Sequence, residues 1–152
     1  TIESIQSVTG KRISVWRNHS YIHTADTSRL LEAASIQWVS DEVNSTKLSW
    51  ESLSPTLKSL PINVTPDHEH LLHGKYQYGK TKTSKLEGRV LITDWVEQVQ
   101  GKVQAITESQ GIATILVHPL CMEIADGMKT FENLCKFLQP LQNCWVSQAS
   151  SS

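Results

Sequence analysis

Three groups of polar side chains stand where apolar runs end: Arg17 through His23, Asp41 with Glu42, and His118. Each holds residue types that can carry a charge or move a proton. His118 closes the run Gly111-Ile112-Ala113-Thr114-Ile115-Leu116-Val117-His118-Pro119, which is short, rich in β-branched residues and without a face period. That pattern predicts a strand buried on both sides, of the kind found in parallel sheets flanked by helices. Open parallel sheets and α/β barrels assemble their sites at the carboxyl ends of such strands. If the strands are parallel neighbours, a guanidinium, a carboxylate and an imidazole meet at one rim. There the carboxylate orients the imidazole and favours its protonated form, which is what a general acid requires. A structural salt bridge, or a histidine in a strand-end turn bound to a neighbouring loop, would use the same residue types.

Two further clusters have the composition of metal ligands. His19 and His23 lie four apart, a spacing that permits shared zinc ligation if the segment is helical. Asp67-His68-Glu69-His70 with His73 gathers three imidazoles and two carboxylates in seven residues, which suits a borderline metal, a polar site rim or a solvated loop. An extended backbone would send His68 and His70 to one side, and a helical one would pair His70 or Glu69 with His73. Cys121, Cys135 and Cys144 are odd in number and contain no C-x-x-C pair, so free, mostly buried thiols are expected. No Gly-rich phosphate loop and no G-x-S-x-G elbow is present, which leaves nucleotide binding and serine-hydrolase chemistry without a basis.

The elements that must position these residues follow from periodicity. Ile2, Ile5 and Val8 recur at helical spacing and Gly10 follows as a C-terminal cap. Ile13 to Arg17 alternates as a strand does. A helix capped by Thr24 or Asp26 carries Leu30, Leu31, Ala33 and Ala34, and Ile36 to Val39 reads as a second strand ending at Ser40 and Asp41. Strand, helix and strand make a βαβ unit and hence a parallel crossover, right-handed by rule. Residues 42–58 read as a loop over the sheet, Leu60 to Val64 as a short strand and Gly74 to Gly88 as a surface loop. Asp94 is expected to cap a helix whose stripe is Trp95, Val96, Val99, Val103 and Ile106. One last helix is expected to carry Ile124, Met128, Phe131, Leu134, Cys135 and Leu138 and to stop at Pro140, leaving residues 139–152 as a frayed tail.

Composition sets the outer bounds. The length of 152 residues suits a single domain with a real core. Fourteen basic against fifteen acidic side chains leave no electrostatic footprint for nucleic acid or anionic lipid. No apolar run approaches the roughly 18 residues of a membrane helix. The chain begins with Thr1, so its natural start, with any leader, is expected upstream.

The order of these features resembles a known family. Gly10-Lys11-Arg12-Ile13-Ser14-Val15-Trp16-Arg17, the helix with Leu30-Leu31-Glu32-Ala33-Ala34, the strand Ile36-Gln37-Trp38-Val39-Ser40-Asp41 and then Leu116-Val117-His118-Pro119 resemble the carboxyl-terminal half of polysaccharide deacetylases. These are the NodB-homology proteins of carbohydrate esterase family four. Pro61-Ile62-Asn63-Val64 with Pro66-Asp67-His68-Glu69-His70 also looks like a stretch in some bacterial members, and the resemblance covers roughly residues 5–138. It implies an α/β fold that is part of a distorted (β/α) barrel, with mostly parallel strands and flanking helices. The implied reaction is metal-dependent hydrolysis of N- or O-acetyl groups on a glycan.

On that pattern Arg17 matches the arginine that tethers the catalytic-base aspartate, and Asp41 the carboxylate that orients the catalytic histidine. His118 matches that histidine, the acid that protonates the leaving amine, and Leu116 would line the acetyl-methyl pocket. The family's base aspartate and its metal ligands belong to motifs upstream of Thr1. A divalent cation, zinc by first choice, is therefore expected on ligands mainly outside this chain, and the missing upstream part is the implied partner alongside an acetylated glycan. The pattern departs at Asn18 and His19, where the family has proline, and at Glu42 and Val43, where a tryptophan is customary. Aligning His19-Ser20-x-x-His23 with the metal-ligand histidine motif is a second register, but the 24-residue step from Arg17 to Asp41 fits the later motifs better. The contrasting functions are a non-catalytic deacetylase-like glycan-binding protein and an unrelated α/β domain with a structural histidine.

Overall fold

A computed structural model of the chain describes residues 2–68 and 91–144. It divides into two compact units, built on Thr1–Pro61 and on Ile62–Asn143. No helix among the described residues is long and apolar enough to cross a membrane.

The first unit is a mixed α/β structure. Helix α1, Ile2–Thr9, ends at Gly10, whose φ of 68° is the left-handed conformation that glycine enters without a Cβ clash. Strand β1, Val15–Trp16, pairs in parallel with β2, Trp38–Val39, in the register Val15 to Trp38 and Trp16 to Val39. Between them runs α2, Ala25–Ala33. Thr24 caps it: its hydroxyl accepts from the Thr27 amide at 3.2 Å, and the Thr27 hydroxyl accepts from the Thr24 amide at 3.3 Å. Thr27 thus fills the place that Glu or Gln takes in a capping box. Leu31 of this helix packs with Ile36, Val39 and Leu57 in a buried apolar cluster against which Ala34 also lies, whereas Leu30 and Ala33 of the expected set are exposed.

The expected loop over residues 42–58 is replaced by structure. It contains β3, Glu51–Ser52, antiparallel to β4, Lys58–Ser59, and the sheet order is β1-β2-β4-β3. β4 pairs in parallel with β2, so two of the three pairings are parallel. The strand expected at Leu60 to Val64 begins earlier, and the Leu60 amide carries the pairing on by donating to the Val39 carbonyl at 2.8 Å. β3 escapes the pattern because it is two polar residues long, and the turn that places it is a serine device: Ser54 Oγ accepts the Leu57 amide at 3.0 Å. Across β2 and β4 the Lys58 ammonium lies over two indole rings, 5.0 Å from Trp38 and 4.4 Å from Trp50.

The second unit is built on helices. α3, Ile92–Glu108, buries Trp95, Val99, Val103 and Ile106, four of the five residues of the expected stripe. Its N-cap is Leu91 rather than Asp94, which lies in the first turn where its charge complements the helix dipole. Trp95 is fully buried and its indole N–H donates to the Thr65 carbonyl at 3.1 Å. The single last helix is in fact two, α4, Pro119–Asp126, and α5, Lys129–Leu138. Gly127 and Met128, both left-handed with φ of 65° and 68°, break it. The Asp126 carboxylate then accepts both the amide and the hydroxyl of Thr130, at 3.1 and 2.7 Å, and starts α5. As a result Ile124 and Cys135 are exposed rather than inward-facing, while α5 packs on both α3 and α4.

The run Ile112 to Val117 is not a strand and is not buried on both sides. Ile112 is 43 % exposed and only Thr114 is buried. Its ladder is supplied by one side chain: Asn63 Nδ2 donates to the Ile112 carbonyl at 2.8 Å and Asn63 Oδ1 accepts the Thr114 amide at 2.9 Å. Side-chain amides carry the same donor and acceptor as the backbone, so one asparagine replaces a strand pairing here. Alternation survives, because Ala113, Ile115 and Val117 pack on the core. Gly74 to Gly88, with Glu69, His70 and His73, and the tail from Trp145 lie outside the described residues.

Candidate active site

In the first unit the ends of β1 and β2 bring Arg17 and Asp41 to one rim, because the two strands are adjacent and parallel. Arg17 is positioned by the end of β2: Nε donates to the Ser40 carbonyl and Nη2 to Ser40 Oγ, each at 2.9 Å. Burial lowers its pKa from the ordinary arginine value, opposed by its electrostatic interactions with Tyr21 and Asp41. Asp41 is buried and accepts three donors, the Asn18 amide at 2.7 Å, Asn18 Nδ2 at 2.6 Å and His23 Nδ1 at 2.9 Å. A carboxylate only accepts, so His23 carries its proton on Nδ1, and Nε2 accepts from the Ser28 hydroxyl at 2.7 Å. The carboxylate is thus satisfied at the cost of committing His23.

That commitment removes the helical metal pair expected at His19 and His23. His19–Tyr21 is a 3-10 turn with Ser20 at φ 55°, and Ile22 is extended, so the i, i+4 geometry does not arise. Asn18 is the residue that anchors Asp41 here, through both its amide and its side chain.

In the second unit His118 stands at the N-cap of α4 with Pro119 at the first helical position, which fixes the turn. The carboxylate set against it is Asp67, fully buried. Asp67 Oδ1 lies 2.7 Å from His118 Nδ1, and Oδ2 accepts the His118 amide at 2.8 Å. Oδ1 also accepts the His68 amide at 2.8 Å. Three donors offset the desolvation of this buried charge. The same logic puts the His118 proton on Nδ1 and leaves Nε2 as the ring's working atom, on a side chain 39 % exposed. Leu116, two residues before, is half-buried and is not among the residues packed on the core.

Beside this pair lie His68 and Cys121. The His68 and His118 ring centroids are 5.0 Å apart, and His68 Nδ1 is 3.2 Å from Cys121 Sγ. His68, His118 and Cys121 form a group that could bind a metal ion, each offering one donor atom within 4.8 Å of the others. Burial, with the charge of Asp67, pushes the Cys121 thiol up to about 11. Of the three thiols only Cys121 is buried; Cys135 and Cys144 are exposed, contrary to expectation.

The structure thus ties Arg17 to the Asp41 end of the sheet in one unit, and His118 to Asp67 in the other. In the sequence Asp67 stood in a metal-type cluster and in the stretch Pro66 to His70, without a role toward His118. The signal that would have singled it out is its place just after Leu60 to Val64, a carboxylate at the end of an apolar run, as Asp41 is.

A solved structure of a provisionally assigned polysaccharide deacetylase from Mycobacterium smegmatis superposes on 99 % of this chain with a TM-score of 0.71 and 16 % identity. The match covers 51 % of that protein, so this chain spans about half its length. The likeness establishes a shared fold. No protein-family model matches the chain, and no curated protein matches it.

Proposed function

We propose that the chain is the carboxyl-terminal part of a polysaccharide-deacetylase-type hydrolase that removes acetyl groups from a glycan, and that its sheet and helices form part of the family's distorted (β/α) barrel. The observation that carries this reading is the fold shared with half of a provisionally assigned deacetylase, together with a histidine that the sequence order and the geometry both single out, His118.

In this reading Asp67 keeps the Nδ1 proton of His118 in place, so that the imidazolium gives its Nε2 proton to the leaving nitrogen or oxygen and is left as the Nδ1-protonated tautomer. Leu116 lines the methyl pocket. Arg17 tethers the base aspartate of the upstream part, while Asp41, expected to orient the histidine, holds Asn18 and His23 and leaves that role to Asp67. The metal, zinc by first choice, rests on ligands mainly outside this chain; the metal-type group among the described residues contains a thiol and the proton donor itself. When bound, the ion polarises the acyl carbonyl and activates water.

The reading is tested by supplying the upstream half of such a domain in trans with zinc and measuring acetate release from an acetylated glycan. Release is expected with this chain and its loss with His118→Ala. Unchanged activity in that variant removes the general-acid role.

A further inference from the structure

We infer that His68, His118 and Cys121 form a second cation site, for a thiophilic divalent ion of the zinc class, and that filling it silences His118 as a proton donor. The silencing rests on the deacetylase reading above, whereas the binding does not. Three observations carry the site. The donors come from two stretches of chain, His68 from one and His118 with Cys121 from the other, yet they converge to within 4.8 Å. Tetrahedral zinc, with bonds of about 2.3 Å to sulfur and 2.0–2.1 Å to nitrogen, sets its donors roughly 3.3–3.6 Å apart. His68 Nδ1 and Cys121 Sγ are already at 3.2 Å. Behind His118 stands a buried carboxylate bound to the other ring nitrogen, the outer-shell arrangement that fixes tautomer and ring in zinc sites.

The donor chemistry separates this site from a hydrolytic one. Two imidazoles and a thiolate suit a soft or borderline ion. Binding replaces the Cys121 S–H bond with a sulfur–metal bond and releases one proton to solvent. His118 Nε2 gives its lone pair to the ion, and the same atom can no longer carry the proton that acid catalysis needs. Occupancy and proton donation are mutually exclusive at that nitrogen.

Cobalt(II) titration of the chain, followed by absorption, tests the binding without any assay of activity. One equivalent is expected to give a thiolate-to-cobalt charge-transfer band that zinc abolishes. The band should persist in the Cys135→Ser, Cys144→Ser double variant and vanish in Cys121→Ser. Asp67→Asn should weaken affinity about 10–100-fold, with circular dichroism confirming that each variant is folded. A cobalt spectrum without the band, or one that survives Cys121→Ser, overturns the site. With the domain reconstituted, excess zinc should inhibit the protein, and Cys121→Ser should relieve that inhibition. Inhibition that Cys121→Ser leaves in place overturns the silencing while leaving the deacetylase reading intact. Absent acetate release counts against that reading and leaves the cobalt spectrum to decide the site.

Discussion

His118 gives both its backbone amide and its Nδ1 to a single buried carboxylate, that of Asp67, at 2.8 and 2.7 Å. The contact joins residues 51 apart in sequence and fixes the end of the Ile112 to Val117 run, the start of α4 and the face of the imidazole at once. One carboxylate therefore sets the backbone that carries the ring and the tautomer of the ring itself.

Replacing that carboxylate with an amide separates these effects. Asp67→Asn has one acceptor oxygen where three donors converge, and its NH2 group faces a donor. A destabilisation of roughly 1–3 kcal/mol is expected from the unpaired buried groups. The variant should also release His118 from the Nδ1-protonated tautomer, read as a change in its imidazole 15N shifts. Urea unfolding and those shifts together check it; a variant with native stability and an unchanged tautomer would show that Asp67 is not the anchor.

What could be read from the sequence divides along physical lines. The stripe of Trp95, Val99, Val103 and Ile106 and the βαβ unit from Ile13 to Val39 are local patterns in which burial repeats at the period of the element. The same apolar content misleads at Ile112 to Val117, because a strand and a segment held by one asparagine have the same composition, and nothing local marks Asn63 as the substitute. Gly127 was the visible stop inside the last helix, with Asp126 ready to cap its successor, but the apolar spacing continued across it. His118 was legible because it ends an apolar run. Its partner was not, since a separation of 51 residues leaves no periodic trace.

Asp41 makes the complementary case in the first unit. Asp41→Ala leaves the Asn18 amide, Asn18 Nδ2 and His23 Nδ1 without their acceptor. A loss on the order of 3 kcal/mol is expected for a cluster this buried. His23 should then lose its fixed tautomer while Arg17 keeps its two bonds to Ser40. Urea titration and His23 imidazole shifts test this, and a stability within a few tenths of a kcal/mol of wild type would count against a structural role for the network.

An ion-pair network in the same unit gives the stability a pH signature. Lys47 Nζ lies 2.8 Å from Glu42 and 2.5 Å from Glu51, and Ser45 Oγ also donates to Glu42. The bond to Lys47 lowers Glu42 from its ordinary 4.5, and the two carboxylates raise Lys47 from its ordinary 10.5. Glu42 therefore adds stability above 4.5 that is lost as pH falls through its depressed value, and Lys47 adds stability below 10.5 that is lost as pH rises through its raised one. With all three side chains near 40 % exposed, solvent and salt screen the effect and it stays small. Thermal unfolding of wild type and Lys47→Met at low salt should show a gap in Tm that is flat between those two values and narrows beyond each. A gap that persists undiminished in strong acid would mean that the side chains stabilise the segment by packing rather than by charge.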